Sequence, residues 1–257
     1  FLHNVFRWHD NGEVAFLLEN GAAPNAQDST GFTPLMNLGT AHHVPNDQKD
    51  LEFYQKRLQL MLNHGANLNL QDRMGRTALI HALLRFSFPD EDGQLATQVL
   101  LDAKPNVQLR DAEGRDALML AIDRRQNPKI ITKILDLGAD PAAKDNEGNT
   151  ALLHAVKTNQ PHLIDLLGAK PDFSITNHDG ETPLHYAALH ADLTLINRIL
   201  ASGVDSSAKD QFGNNAAHFA AQGRGSYFRA GSNALLEALT LLKVAGTPLD
   251  LPNEDGN

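Results

Sequence analysis

Gly180-Glu181-Thr182-Pro183-Leu184-His185-Tyr186-Ala187-Ala188 recurs in altered form along the chain. Its relatives are Gly31-Phe32-Thr33-Pro34-Leu35, Gly75-Arg76-Thr77-Ala78-Leu79, Gly114-Arg115-Asp116-Ala117-Leu118, Gly148-Asn149-Thr150-Ala151-Leu152 and Gly213-Asn214-Asn215-Ala216-Ala217-His218. Three residues before each glycine stands Asp28, Asp72, Asp111, Asp145, Asn177 or Asp210, and Asn253 to Gly256 begins another such unit. The third position holds Thr33, Thr77, Asp116, Thr150, Thr182 or Asn215. The side-chain oxygens of these residues accept hydrogen bonds from the free N–H groups of a first helical turn. Pro34 and Pro183 follow at the first helical position, where a missing N–H costs nothing. Apolar residues come next, so six helix starts are expected.

A second marker closes the units: Asn20-Gly21-Ala22, His64-Gly65-Ala66, Leu137-Gly138-Ala139, Ser202-Gly203-Val204 and Ala245-Gly246-Thr247. Glycine just past an apolar helical stripe, such as Ile130, Ile131, Ile134 and Leu135, is the left-handed stop of a helix. Lys104 and Lys170 stand where two units lack that glycine, each followed by proline. A non-glycine residue is disfavoured there, so both helix ends are expected to depart from the stop. From each stop to the next motif glycine the spacing is constant: 21 to 31, 65 to 75, 104 to 114, 138 to 148, 170 to 180, 203 to 213 and 246 to 256. From motif glycine to stop it varies from 22 to 34 residues, so every insertion falls inside a helix pair. Units of this size cannot bury an apolar face alone, and stacking must supply the core.

With Asn177 before it and Gly203-Val204-Asp205 after, the 180–188 motif resembles the ankyrin repeat, and the resemblance runs along essentially the whole chain. It implies an all-α ankyrin-repeat solenoid of stacked helix-turn-helix units joined by β-turn hairpin loops. One domain over 1–257 is expected, with repeats at 1–27, 28–71, 72–110, 111–144, 145–176, 177–209 and 210–252 and a stub at 253–257. Phe1-Leu2-His3 aligns with Pro183-Leu184-His185, so the chain is expected to be a piece of something longer.

Composition narrows the function classes. Of 257 residues, 42% are hydrophobic and 21% charged, which suits a folded globular chain and excludes a disordered or collagen-like one. By length alone, one or two domains are expected. No apolar run approaches the ~18 residues of a membrane span, and no secretory signal opens the chain. The absence of Cys excludes disulfides, thiolate zinc sites and a cysteine nucleophile. A net charge of −9 argues against nucleic acid as a partner.

Candidate chemistry is sparse. Twelve histidines invite a metal reading, yet no His-Glu-x-x-His occurs. The resemblance gives His3, His185 and His218 a structural role in fixing the turn between repeats, and His154 falls one position later. His42-His43 lies in an insertion without a nearby third ligand. Gly223-Arg224-Gly225-Ser226 follows a helix and lacks the Lys-Ser or Lys-Thr of a phosphate loop. No Gly-x-Ser-x-Gly elbow is present. Asp90-Glu91-Asp92-Gly93 lacks the later ligands of a calcium loop. No catalytic residue, metal site or cofactor is assigned.

What remains is surface. The resemblance implies a concave groove, formed by turn tips and the exposed face of each first helix, that binds a partner protein or peptide. Carried over position by position, the candidate contacts are Arg73, Arg76, Arg85, Glu113, Arg115, Arg124, Lys157, His178, Glu181, His190 and Phe212. Five of these are arginines on two neighbouring repeats of an acidic chain. A solvated face is one reading, and an acidic or phosphorylated partner segment, which guanidinium forks suit, is the other. Tyr227 and Phe228 in the enlarged seventh repeat join the candidates as aromatic contacts, or brace the helix pair. The function expected is a non-enzymatic interaction module in an intracellular, cytoplasmic or nuclear setting. The alternative is the recruiting or regulatory region of a larger enzyme, or of a bacterial effector acting on host cells, with its catalytic domain elsewhere.

Overall fold

The computed structural model describes residues 11–40, 48–85, 92–223, 233–249 and 253. His3, His42-His43, Asp90-Glu91 and Tyr227-Phe228, singled out in the sequence, lie outside the described residues. The chain divides into two compact units, Phe1–Asp140 and Pro141–Asn257. Among the described residues every regular element is helical.

In the first unit the helices are α1 (Asn11–Glu19), α2 (Asn37–Thr40), α3 (Gln48–Asn63), α4 (Ala78–Leu84), α5 (Asp92–Asp102), α6 (Ala117–Asp123) and α7 (Pro128–Asp136). A single 3-10 turn, Pro34–Met36, leads into α2. The first helices of successive repeats, α2, α4 and α6, pack side by side, and the second helices α1, α3, α5 and α7 form the neighbouring row. Leu79, Ile80, Leu83, Leu100, Leu118 and Met119 are fully enclosed between the rows, so burial of these side chains is what couples one repeat to the next.

The second unit repeats the plan with α8 (Ala151–Lys157), α9 (Ile164–Leu167), α10 (Pro183–Leu189), α11 (Leu193–Ala201), α12 (Ala216–Gln222) and α13 (Asn233–Val244). Here α10 packs between α8 and α12, and α11 against α13. Its core joins Leu153, Val156, Leu184, Ile196, Ile199 and Phe219, with Ala187 and Ala188 allowing close helix approach.

All six expected N-caps stand where the motif puts them. Thr77, Asp116 and Thr150 accept the N–H groups of Ile80, Met119 and Leu153. At Thr182 and Asn215 a capping box forms with histidine in the third helical position. Before each cap lies one recurring hairpin tip. Asp72 Oδ1 accepts from the N–H groups of Met74 (2.8 Å) and Arg76 (2.9 Å), while the Asp72 N–H donates to the Arg76 carbonyl. Asp28, Asp111, Asp145, Asn177 and Asp210 do the same, which is why the position accepts only Asp or Asn.

The two helix ends without glycine behave differently. Lys170 does not adopt left-handed geometry and α9 ends at Gly168 instead, as expected. Lys104 corrects the expectation, because it takes the left-handed conformation at φ 55° and closes α5 through its N–H to the Leu101 carbonyl. The fixed ten-residue connection to Gly114 demands that stop, and tertiary packing overrides the local cost.

Candidate partner-binding surface

Adjacent tips are joined through the main chain. Within the first unit, the Arg73 N–H donates to the Thr30 carbonyl (2.9 Å) and the Ala112 N–H to the Met74 carbonyl (2.8 Å). Within the second, His178 N–H donates to Glu147 (2.8 Å) and Gln211 N–H to Asp179 (2.7 Å). Gln71 Nε2 reinforces the row by donating to the Gly75 and Arg110 carbonyls. The tip side chains are thus held on a hydrogen-bonded rail, with little backbone entropy left to lose on binding.

The first-unit arginines come together on neighbouring tips, but in different states. Arg115 is held by its own repeat: Nε and Nη2 donate to Asp111 Oδ2 at 3.1 and 2.8 Å, and Glu113 lies 3.3 Å from Nη2. Burial opposes its charge, and the Asp111 bonds more than offset that, so its pKa lies above the ordinary arginine value. Arg76 occupies the matching place one repeat earlier, yet its Nε is withdrawn from solvent with no acceptor among the described residues. The oxygen it would take, Asp72 Oδ2, accepts instead from His81 Nε2 at 2.8 Å. Burial lowers the His81 pKa, with Asp72 partly opposing. Arg73 is exposed beside it, next to a 43% exposed Met74.

Arg85, Arg124 and His190 do not run along the exposed face of a first helix. They occupy its C-cap, closing α4, α6 and α10, and all three are half-buried. Nη1 of Arg85 and Oε1 of Gln126 are also withdrawn from solvent without a described partner. His190 Nε2 donates to the Lys157 carbonyl (3.0 Å), a brace between neighbouring helix ends.

In the second unit the candidates largely satisfy one another. The Tyr186 hydroxyl donates to Glu181 Oε2, which also accepts from Asn177 Nδ2 at 2.7 Å. Burial and the Glu181 bond push the Tyr186 hydroxyl far above its usual pKa. Lys157 Nζ lies 5.6 Å over the Tyr186 ring and 3.8 Å from Glu147 Oε2. Phe212 stands out at its tip, 52% exposed, and His178 is exposed one tip earlier.

Sequence reasoning missed the tie between the hairpin Asp and the residue nine positions later. Asp72 with His81 and Asp145 with His154 (3.0 Å) share it, and the signal was a histidine four residues past an N-cap. His185, three past its cap, instead reaches the next repeat, in agreement with the structural role expected of it. No cluster of three or more His, Cys, Asp or Glu suited to a metal occurs among the described residues, and no described helix is long and apolar enough to cross a membrane.

The sequence matches the family described as "Ankyrin repeats (3 copies)" over residues 49–145, 91–176 and 120–210, which together take in more than half the chain. It is similar to Ankyrin repeat and SOCS box protein 6 of Homo sapiens, 31% identical over 130 residues, covering 48% of this chain and 30% of that protein. E3 ubiquitin-protein ligase KEG of Arabidopsis thaliana is 33% identical over 99 residues, 38% of this chain and 6% of the ligase. Neurogenic locus notch homolog protein 1 of Xenopus laevis is 27% identical over 203 residues, 77% of this chain and 6% of that protein. The chain spans less than a third of the length of each.

Proposed function

The chain belongs to the ankyrin-repeat family, whose repeats are in general protein–protein interaction modules, and from that premise we propose that it is a non-enzymatic binding module. Its first unit takes an acidic or phosphorylated segment of a partner protein at the tip bearing Arg73 and Arg76, next to the tip where Arg115 is held by Asp111. The observation that carries this reading is the Arg76 guanidinium, a permanent charge whose Nε is hidden from water and given no acceptor among the described residues. Leaving a charged donor in that state costs more than about 1 kcal/mol, a cost that a bound oxyanion removes. The rail of tip-to-tip bonds supports a preorganised surface. Once a partner has been isolated on the full chain, its affinity for the Arg73→Glu plus Arg76→Glu double variant tests the reading. A fall of about tenfold or more is expected, and unchanged affinity sinks it.

A second reading is favoured by the short coverage of the relatives. The chain aligns with only 6% of a ubiquitin-protein ligase and 30% of a SOCS box protein. A recruiting or regulatory region within a larger protein agrees with such placement, and reading the full coding frame discriminates the two.

A further inference from the structure

Two successive repeats carry an arginine immediately after the tip glycine, Arg76 and Arg115, and an aspartate four residues before it, Asp72 and Asp111. In both, aspartate Oδ1 is spent on the turn, accepting two backbone N–H groups. Only Oδ2 is left to choose a partner. Asp111 Oδ2 takes the side-on edge of Arg115, Nε and Nη2 together. Asp72 Oδ2 takes His81, and Arg76 is left out. The difference traces to one position, four residues past the N-cap, where the first repeat has His81 and the second Leu120. Leucine offers Asp111 no donor, so the arginine wins there. Imidazole offers Asp72 a short bond, with the ring held by edge contact to Phe32 of the preceding tip, centroids 4.9 Å apart.

We propose that His81 is a positioning residue: by occupying Asp72 it withholds that carboxylate from Arg76 and keeps the arginine open to a carboxylate of an acidic peptide. The inference rests on the binding reading above and deepens it by naming the ligand group and the residue that leaves its site vacant. The ligand chemistry is written in the neighbouring repeat, where the Asp111 carboxylate accepts from the side-on edge of Arg115. A partner Glu or Asp seats on Arg76 in the same way. Arg76 is half-buried as a residue, so turning about its own side-chain bonds brings the hidden edge to the surface. Arg73 is exposed on the same tip and adds a second positive charge. The phosphorylated source has no such template on these tips.

The test uses the full chain, a fluorescein-labelled hexaglutamate peptide, a phosphoserine peptide of equal length, and arginine Nε–H resonances read by NMR. In His81→Leu, Arg76 is expected to fold back onto Asp72. Its Nε–H resonance is then expected to shift as it gains the hydrogen bond that Arg115 has, and glutamate-peptide affinity falls about tenfold, as in Arg76→Gln. Adding Asp72→Asn to His81→Leu removes the competing carboxylate and restores binding, a rescue that a merely structural histidine would not give. Asparagine keeps the turn, since Asn177 Oδ1 accepts the same two N–H groups at its own tip. If the Arg76 Nε–H and the affinity are both unchanged in His81→Leu while the native chain binds, the role of His81 is overturned alone. If the native chain ignores hexaglutamate, or prefers the phosphoserine peptide, the carboxylate assignment falls, whatever the resonance of Arg76 does in His81→Leu.

Discussion

His185 Nε2 donates a hydrogen bond to the carbonyl of Asn214, 29 residues further along the chain, at 3.1 Å. The carbonyl can only accept, so the proton sits on Nε2 and leaves Nδ1 as the acceptor. Nδ1 in turn meets the Thr182 N–H at 3.1 Å and the Thr182 hydroxyl at 2.8 Å. One neutral imidazole therefore closes the start of α10 and ties it to the next repeat.

That arrangement gives stability a pH dependence. Burial lowers the His185 pKa below the ordinary 6.5, with the Asn214 bond and the charges of Asp210 and Glu181 opposing and His218 assisting. His81 is shifted the same way. As pH falls the unfolded chain takes up these protons before the folded one does. The histidine contribution is whole above pH 6.5 and is lost as pH falls through 6.5 toward the lower folded-state values. Urea midpoints should drop between about pH 7.5 and about pH 5.5, and the drop should narrow in His185→Gln. A native midpoint that is flat across this range refutes the assignment.

Helix caps carry measurable weight. Thr150 Oγ1 accepts the Leu153 N–H, and Thr150→Ala should cost about 1 kcal/mol. Thr182→Ala should cost about 1 kcal/mol as well, since the hydroxyl serves both the capping box and His185. Chemical denaturation of the two variants checks this, and an unchanged midpoint in both contradicts the caps.

Two glycines ten residues apart, Gly65 just past the end of α3 and Gly75 in the following tip, separate conformation from crowding. Gly65, at φ +82°, has nothing within 4 Å of an added Cβ. Gly65→Ala should therefore cost only the left-handed backbone term, about 1–2 kcal/mol. Gly75, at φ +71°, would drive its Cβ to 2.7 Å from the Arg110 carbonyl oxygen. Gly75→Ala should cost about 1–3 kcal/mol more than Gly65→Ala, because a neighbouring tip must move. Comparable losses in the two would mean that the tips are not packed as described.

The opposite substitution should stabilise. Ala191 adopts φ 48° where α10 ends, with its N–H bonded to the Ala188 carbonyl and the Asp192 N–H to Ala187. Ala191→Gly relieves the backbone and should raise stability by about 0.5–1 kcal/mol, after the entropy of glycine is subtracted. A thermal scan showing a lowered midpoint would count against the left-handed geometry.

Much of the architecture was legible because its determinants are local. Asp72, Thr77 and Gly75 each act within a few residues of themselves, through an Asx turn, an N-cap and a left-handed turn residue, so their spacing reports the repeat directly. Lys104 was misjudged because only the rank of alternatives is local. Its left-handed strain is overruled by the packing of α5 and the fixed run to the next tip. The candidate surface was legible as positions but not as states. Arg76 and Arg115 look alike in sequence, and what separates them is whether a residue one helical turn inside the repeat competes for the same oxygen.

By itself the sequence determined the repeat, its length, its helix starts and the residues set on its tips, since those follow from short-range hydrogen bonding and steric limits along one stretch of chain. The tertiary structure alone decided which tip charges are spent and which are open. Glu181 is taken by Tyr186 and Asn177, Arg115 by Asp111, and Arg76 by neither Asp72 nor any other described carboxylate. Hydrogen-bond partners are won by geometry among groups that folding brings together, and spacing along the chain does not rank the competitors.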